Sequence, residues 1–183
     1  MTVAPRRWAA ELLHVWFSDL APADWWRKSD DVDAMLRQRF ETDLIMLGQR
    51  PDREFLRARR TAQAAILLFD QIPRNLYRDD PRAFAWDPLA RNLSRGFIAR
   101  GWDKSVPLRE RPFVYMPMMH SEDIADQLAS LSLFARYAPA NLSFARSHHR
   151  MIARFGRFPH RNDIFDRKST AEEKSAVKAG FSW

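Results

Sequence analysis

The chain has 183 residues, of which 46% are hydrophobic and 13% aromatic; that is ample material for a single-domain core over residues 1–183 and too much for a disordered chain. Its formal charge of +7 points to solubility through net charge first and to anionic partners second. With no cysteine, disulfides, thiolate nucleophiles and cysteine zinc sites are excluded.

The elements read as helices throughout. Only five glycines occur, and no Asn-Gly or Asp-Gly hairpin signal competes. A first helix is expected from Ala4 to Phe17, with Pro5 in its first turn and Trp8, Leu12, Val15 and Trp16 on one face. Asp19 to Trp26 is a connector. Asp30 or Asp31 is expected to cap a second helix, whose stripe is Val32, Met35, Leu36, Phe40, Leu44 and Leu47 and whose stop is Gly48. The third is predicted from Asp52 to Ile72, buried through Phe55, Ala58, Ala62, Ala65, Ile66 and Phe69, and ended by Pro73.

The fourth begins near Asp80-Pro81, breaks at Asp87-Pro88 and runs to Gly101. A fifth is predicted from Val106 to Met116, closed by Pro117. The sixth is capped by Ser121 and carries Ile124, Leu128, Leu131 and Phe134. Leu142 to Phe155 is the seventh, stopped by Gly156. The capping box Thr170-Ala171-Glu172-Glu173 opens the eighth. Phe181 and Trp183 are expected to dock on the body. The result is an all-α fold of about eight helices packed as antiparallel pairs. The N-terminus, M-T-V-A-P-R-R-W, has no signal-peptide core, and no apolar run approaches the ~18 residues of a membrane span, so a soluble cytoplasmic protein is expected.

Three polar clusters interrupt the apolar helices. The first is Asp70, Gln71, Arg74 and Asn75. The second is His120, Ser121 and Glu122, followed by Asp126 and Gln127. The third is the string R-F-G-R-F-P-H-R-N-D-I-F-D-R from Arg154 to Arg167, with His148 one helix earlier. Its arginines, histidine and phenylalanines suit neither a solvated loop nor a plain core segment. Arg74, Arg154, Arg157 and Arg161 are of the type that clamps carboxylate or phosphate through a planar fork. The same arginines serve equally in an ion network with Glu122, Asp126 and their neighbours, without any ligand.

His120, Glu122, Asp126, His148 and His160 are ligand types for a metal, but none falls into a zinc spacing, and Glu11-x-x-His14 lacks the second copy a di-iron bundle needs. No metal and no cofactor is therefore expected. Acid–base work by His120 or His160, with Glu122 as orienter, is the enzymatic alternative.

F-D-Q-I-P-R-N (69–75), R-A-F-A (82–85), Y-M-P-M-M-H-S-E (115–122) with Asp126-Gln127, and H-x-x-x-I-x-R-F-G-R-F-P-H-R-N (148–162) occur in this order. Together with V-W-F (15–17) and the closing T-x-E-E and F-x-W, they resemble a bacterial domain-of-unknown-function family, number nine hundred and twenty-four, over essentially the whole chain. The resemblance implies paired helices like those of a tetratricopeptide-like superhelix, and no activity. The motif residues it carries over are Asp70, Gln71, Arg74, Asn75, His120, Ser121, Glu122, Asp126, Gln127, His148, Arg154, Arg157, His160, Arg161 and Asn162. Met119 stands where the family usually has an acidic residue, Ile72 where it has Phe, and His14-Val15 interrupts its usual Leu-Asp-Phe-Trp-Phe.

The leading expectation is a pocket built from segments 70–75, 120–127 and 154–162 that binds a small anion or an acidic peptide end. A tetratricopeptide-like interaction scaffold and a hydrolase are the alternatives. Nucleic acid ranks last, because the arginines lie dispersed among acids and no reader motif occurs.

Overall fold

The computed structural model describes residues 7–181. Ala4 and Pro5 of the predicted first helix, and Trp183 of the predicted closing contact, lie outside them. Among the described residues there are nine α-helices, short 3₁₀ and π turns, and no strand. The helices are α1 (Arg7–His14), α2 (Asp30–Leu47), α3 (Asp52–Phe55), α4 (Arg59–Leu76), α5 (Asp87–Ala99), α6 (Arg111–Met119), α7 (Ile124–Tyr137), α8 (Leu142–Phe155) and α9 (Ala171–Lys178). The all-helical expectation holds. The chain divides into two compact units, one up to Val114 and one from Tyr115 onward.

In the first unit α4 is the centre. It packs against α1, α2 and α5. Every residue from Ala62 to Pro73 is buried, so it is enclosed all round rather than amphipathic. This explains why Pro73 does not end it. Proline removes one ladder hydrogen bond and costs ~3 kcal/mol in a helix. Burying Ile66, Leu67, Leu68, Phe69 and Ile72 at about 1.5–3 kcal/mol each outweighs that cost. The helix therefore continues through Pro73 to Leu76, and Tyr77 N–H closes it on the Pro73 carbonyl at 2.9 Å. Pro117 is carried inside α6 in the same manner, and α6 starts at Arg111 rather than Val106.

The predicted third helix is two. The chain turns at extended Ala58, and Phe55 folds back so that its ring lies 5.4 Å from Phe69. A continuous helix would hold those residues about 21 Å apart. Phe55 also meets Trp8 edge-on at 6.3 Å and is fully buried. At the end of α1, a π turn over Val15–Asp19 lets Trp25 Nε1 donate to the Trp16 carbonyl at 2.8 Å. Ser29, not Asp30 or Asp31, is the N-cap of α2, accepting from Val32 N–H; the aspartates occupy the first turn, where they complement the helix dipole.

In the second unit α7 and α8 pack on each other through the short turn at 138–141. Asp123, not Ser121, caps α7, accepting from Ala125 N–H at 2.7 Å. The predicted apolar stripe of α7 is buried only in part. Phe134 is fully buried and Leu131 half-buried, but Ile124 and Leu128 are exposed, and Asp126, Gln127 and Ser130 are buried instead. Phe181 docks as expected, half-buried against Met151, Ile152, Phe158 and Ala176.

Gly48 ends α2 at an ordinary helical φ of −63°, so its lack of a side chain serves space rather than backbone freedom. A Cβ there would stand 2.0 Å from Trp86 Nε1. Gly48→Ala is expected to destabilise the protein by about 1–3 kcal/mol through overpacking. A melting temperature equal to that of the wild type would show that Trp86 moves aside freely.

Candidate functional site

The three clusters are built differently. The first lies in the first unit, at the end of α4. Asp70 is 1% exposed and Gln71 is buried, and Gln71 Nε2 donates to Asp70 Oδ2. Arg74 forks onto Asp87 at 2.8 and 3.0 Å, reaches the Asp70 carbonyl at 2.6 Å, and lies 5.4 Å from the Phe84 ring centre. Burial works against its charge, but Asp87 and Asp70 more than restore it, and its pKa is raised. Asn75 accepts from Arg78, which also forks onto Asp33. This cluster is a closed ion network that fastens the end of α4.

The second and third clusters both belong to the second unit, and the structure brings them together. Glu122 is the joint. Its carboxylate accepts the Phe158 N–H at 2.8 Å and both arms of Arg167 at 2.8 and 3.1 Å. Burial disfavours its charge, yet the Arg167 bonds and the Phe158 amide hold its pKa below the usual carboxylate value. The turn that brings Phe158 there depends on Gly156, which ends α8 in the left-handed region at φ +69°.

Arg161 then donates to the His120 carbonyl at 3.0 Å and lies 4.5 Å above the Phe158 ring centre. Ring centroids run from His120 to His148 at 5.9 Å, from His148 to Phe158 at 5.5 Å, and from Phe158 to His160 at 5.7 Å. Two imidazoles, His148 and His160, and the Arg161 guanidinium thus lie about a buried phenylalanine, and His120 stands one ring further on, against His148.

Gln127 holds the turn that carries His120. Its Nε2 donates to the Met119 carbonyl at 2.7 Å and the Ser121 carbonyl at 2.6 Å, satisfying acceptors left at the end of α6. Ser121 accepts from Asp123 N–H at 3.1 Å, and Asp126 is buried one turn further on. Two side-chain amide oxygens, Gln127 Oε1 and Asn162 Oδ1, are buried without a hydrogen-bond partner among the described residues.

The remaining arginines are engaged elsewhere. Arg157 forks onto Glu173 at 2.6 and 2.9 Å, and Arg154 meets Glu172 at 3.1 Å. Glu173 also completes the capping box of α9 with Thr170, and Arg157, then the Thr170 amide, lower its pKa to about 2. An open recess of about 620 Å³ lies here, lined by Arg154, Phe155, Arg157 and the start of α9, but its arginines already face carboxylates. Sequence reasoning placed Arg167 at the end of the third cluster and Glu173 in a capping box but missed that they pair with Glu122 and Arg157. Arg167 stands 45 residues from Glu122, with no local spacing to flag it, whereas the double acid of the capping box was a usable signal for Glu173. Among the described residues no group of three His, Asp or Glu side chains is placed to hold a metal ion.

These features define an all-helical protein with a histidine- and arginine-lined cluster at the junction of α6, α7 and the loop after α8. The chain belongs to the bacterial DUF924 family, described as a bacterial protein of unknown function, whose model matches residues 12–180. It is similar in structure to a protein of unknown function from Agrobacterium tumefaciens, with a TM-score of 0.89 and 35% identity over 94% of this chain and 97% of that one. No curated protein matches the sequence.

His148 is 4% exposed, and its Nδ1 lies 2.9 Å from the Phe144 carbonyl, which fixes Nδ1 as the donor and Nε2 as the bare nitrogen. Burial, then the charges of His120, Arg161 and His160, lower its pKa to about 3. A histidine whose folded pKa lies below its unfolded value stabilises the fold above pH ~6.5, and that stability is lost as pH falls. Between pH 6.5 and 5 the loss is about 2 kcal/mol, or ~4–8 °C in Tm, before the carboxylates contribute. His148→Gln is expected to flatten the melting temperature across this window; an unchanged slope would mean that His148 titrates normally.

Proposed function

We propose that the protein binds a small anionic ligand, or the acidic end of a peptide, at the cluster formed by His120, His160 and Arg161. The observation that carries this reading is the run of rings from His120 through His148 and Phe158 to His160, with the Arg161 guanidinium over the Phe158 ring and bonded to the His120 carbonyl, beside a Glu122 whose charge Arg167 already answers. The buried amide oxygens of Gln127 and Asn162 favour a ligand that also carries N–H donors, as a peptide end does. Arg74, Arg154 and Arg157 leave the list of clamps, because Asp87, Glu172 and Glu173 occupy their forks.

The hydrolase alternative is weaker. Glu122 makes its hydrogen bonds to Phe158 and Arg167 rather than to an imidazole, which speaks against it as the orienter of a catalytic histidine. A cytoplasmic setting belongs to the same reading; among the described residues no helix is long and apolar enough to cross a membrane.

Thermal unfolding across phosphates, nucleotides, short acidic peptides and carboxylates tests the proposal. A true ligand at a hundred times its Kd adds ~2.7 kcal/mol, a rise of several degrees. The rise is expected for one chemical class only and is lost in His160→Gln, a half-buried position that tolerates the change. A flat panel, or a shift that His160→Gln leaves intact, overturns the reading.

A further inference from the structure

The charge of the chain is very unevenly placed. Residues 50–60 and 91–111 hold eleven Arg and Lys against four Asp and Glu, a net +7 that equals the formal charge of the whole protein. Everything else is balanced, with nineteen cations and nineteen carboxylates. In sequence the two stretches are thirty residues apart and interleaved with acids, which is why they look dispersed.

The fold joins them. α3 packs on α5, and Gly96 lets Leu56 approach so closely that a Cβ would stand 2.6 Å from its Cδ1. Arg59 Nη1 reaches the Ser105 carbonyl at 3.3 Å, and Arg111 Nη2 reaches the Lys104 and Val106 carbonyls at 3.3 and 3.0 Å. Arg100 donates to the Gly96 carbonyl at 2.8 Å and lies 5.5 Å from the Trp102 ring centre.

Arg57, Arg60, Arg100 and Lys104 are exposed and make no ion pair among the described residues. Of the four carboxylates, Asp103 is 2% exposed, and Glu54 and Glu110 are engaged by Arg50 and Gln63. The charges of these four side chains are therefore on the surface and not answered by a carboxylate, unlike those of the arginine forks elsewhere in the protein.

We propose that this face, formed by α3, the start of α4, the end of α5 and the 3₁₀ turn Trp102–Ser105, binds the sugar–phosphate backbone of a nucleic acid. Ten of the eleven cations in the two stretches are arginines, whose planar fork matches two phosphate oxygens where an ammonium offers a point charge. The partly exposed indole of Trp102, held by Arg100, adds a ring beside the cations. No element is shaped to enter a groove, so the contact is to backbone and independent of base sequence. An anionic membrane fits less well, since Leu108 is the single large apolar side chain strongly exposed in these stretches among the described residues, too little to insert.

The test is fluorescence anisotropy of the full chain with a labelled single-stranded RNA of ~20 nucleotides at low salt, together with vesicles of phosphatidylserine and a polyglutamate peptide. The protein is expected to bind the RNA with affinity that falls steeply with salt. The double variant R57E/R60E, both exposed positions, is expected to lose roughly tenfold or more and to reduce the salt slope. K174E/K178E on α9 changes net charge equally and is expected to bind nearly as wild type. Equal weakening by both pairs would reduce the effect to overall charge and overturn the proposal. So would no RNA binding at low salt, or tighter binding to vesicles or polyglutamate. Circular dichroism and Tm of both variants confirm that the fold is kept.

Discussion

The bond from the Phe158 amide to the Glu122 carboxylate holds the second unit's site in place. A backbone N–H that leaves a helix end must find an acceptor or pay desolvation, and here the acceptor is a charged group that lies 36 residues away in sequence. Arg167 fills the rest of that carboxylate, so the loop 156–167 is fixed at both ends of its path. The rest of the cluster lies around this hold. Phe158 is buried beside His148, Arg161 lies over its ring, and the His160 ring stands 5.7 Å from it. Without the Glu122 bond the loop would still be tied by Arg157 to Glu173 and by Arg161 to the His120 carbonyl, but Phe158 would lose its own anchor.

The protein uses its arginines in two ways. Inside the motifs they are matched: Arg74 with Asp87, Arg157 with Glu173, Arg167 with Glu122. Such pairs fix helix ends and loops, and their planar forks give direction to the contact. Along residues 50–60 and 91–111 the cations outnumber the acids, and Arg57, Arg60 and Arg100 among them are exposed to solvent with no carboxylate against them. A matched pair and an unmatched face have different consequences, because only the second leaves a field for a partner to answer.

Much of the fold was legible in the sequence. The α2 stripe Leu36, Phe40 and Leu44, spaced by four, is fully buried, because the helical period alone puts those side chains on one face. The Thr170 capping box forms as its spacing requires. Local rules failed where tertiary packing outweighed them. Pro73 and Pro117 stay inside helices because the burial around them is worth more than one lost hydrogen bond. On α7 an apolar stripe loses part of the core to Asp126, Gln127 and Ser130, because the amide of Gln127 is needed to satisfy the Met119 and Ser121 carbonyls. The string R-F-G-R-F-P-H-R-N marked the candidate cluster, but its meeting with the His120–Gln127 cluster was not legible, because it runs through Glu122 and Phe158, 36 residues apart. What sequence spacing did not reveal was which acid answers which arginine, since those partners lie 13, 16 and 45 residues apart and share no period.

Amide hydrogen exchange at Phe158 tests the central hold most directly. In the wild type that N–H is bonded to a half-buried carboxylate and is expected to exchange far more slowly than a free loop amide. In Glu122→Gln the charge that holds both Phe158 and Arg167 is gone, and protection is expected to collapse at Phe158 while α7 and α8 keep theirs. Unchanged protection at Phe158 in that variant would contradict the account, because the loop would then be held by something other than Glu122.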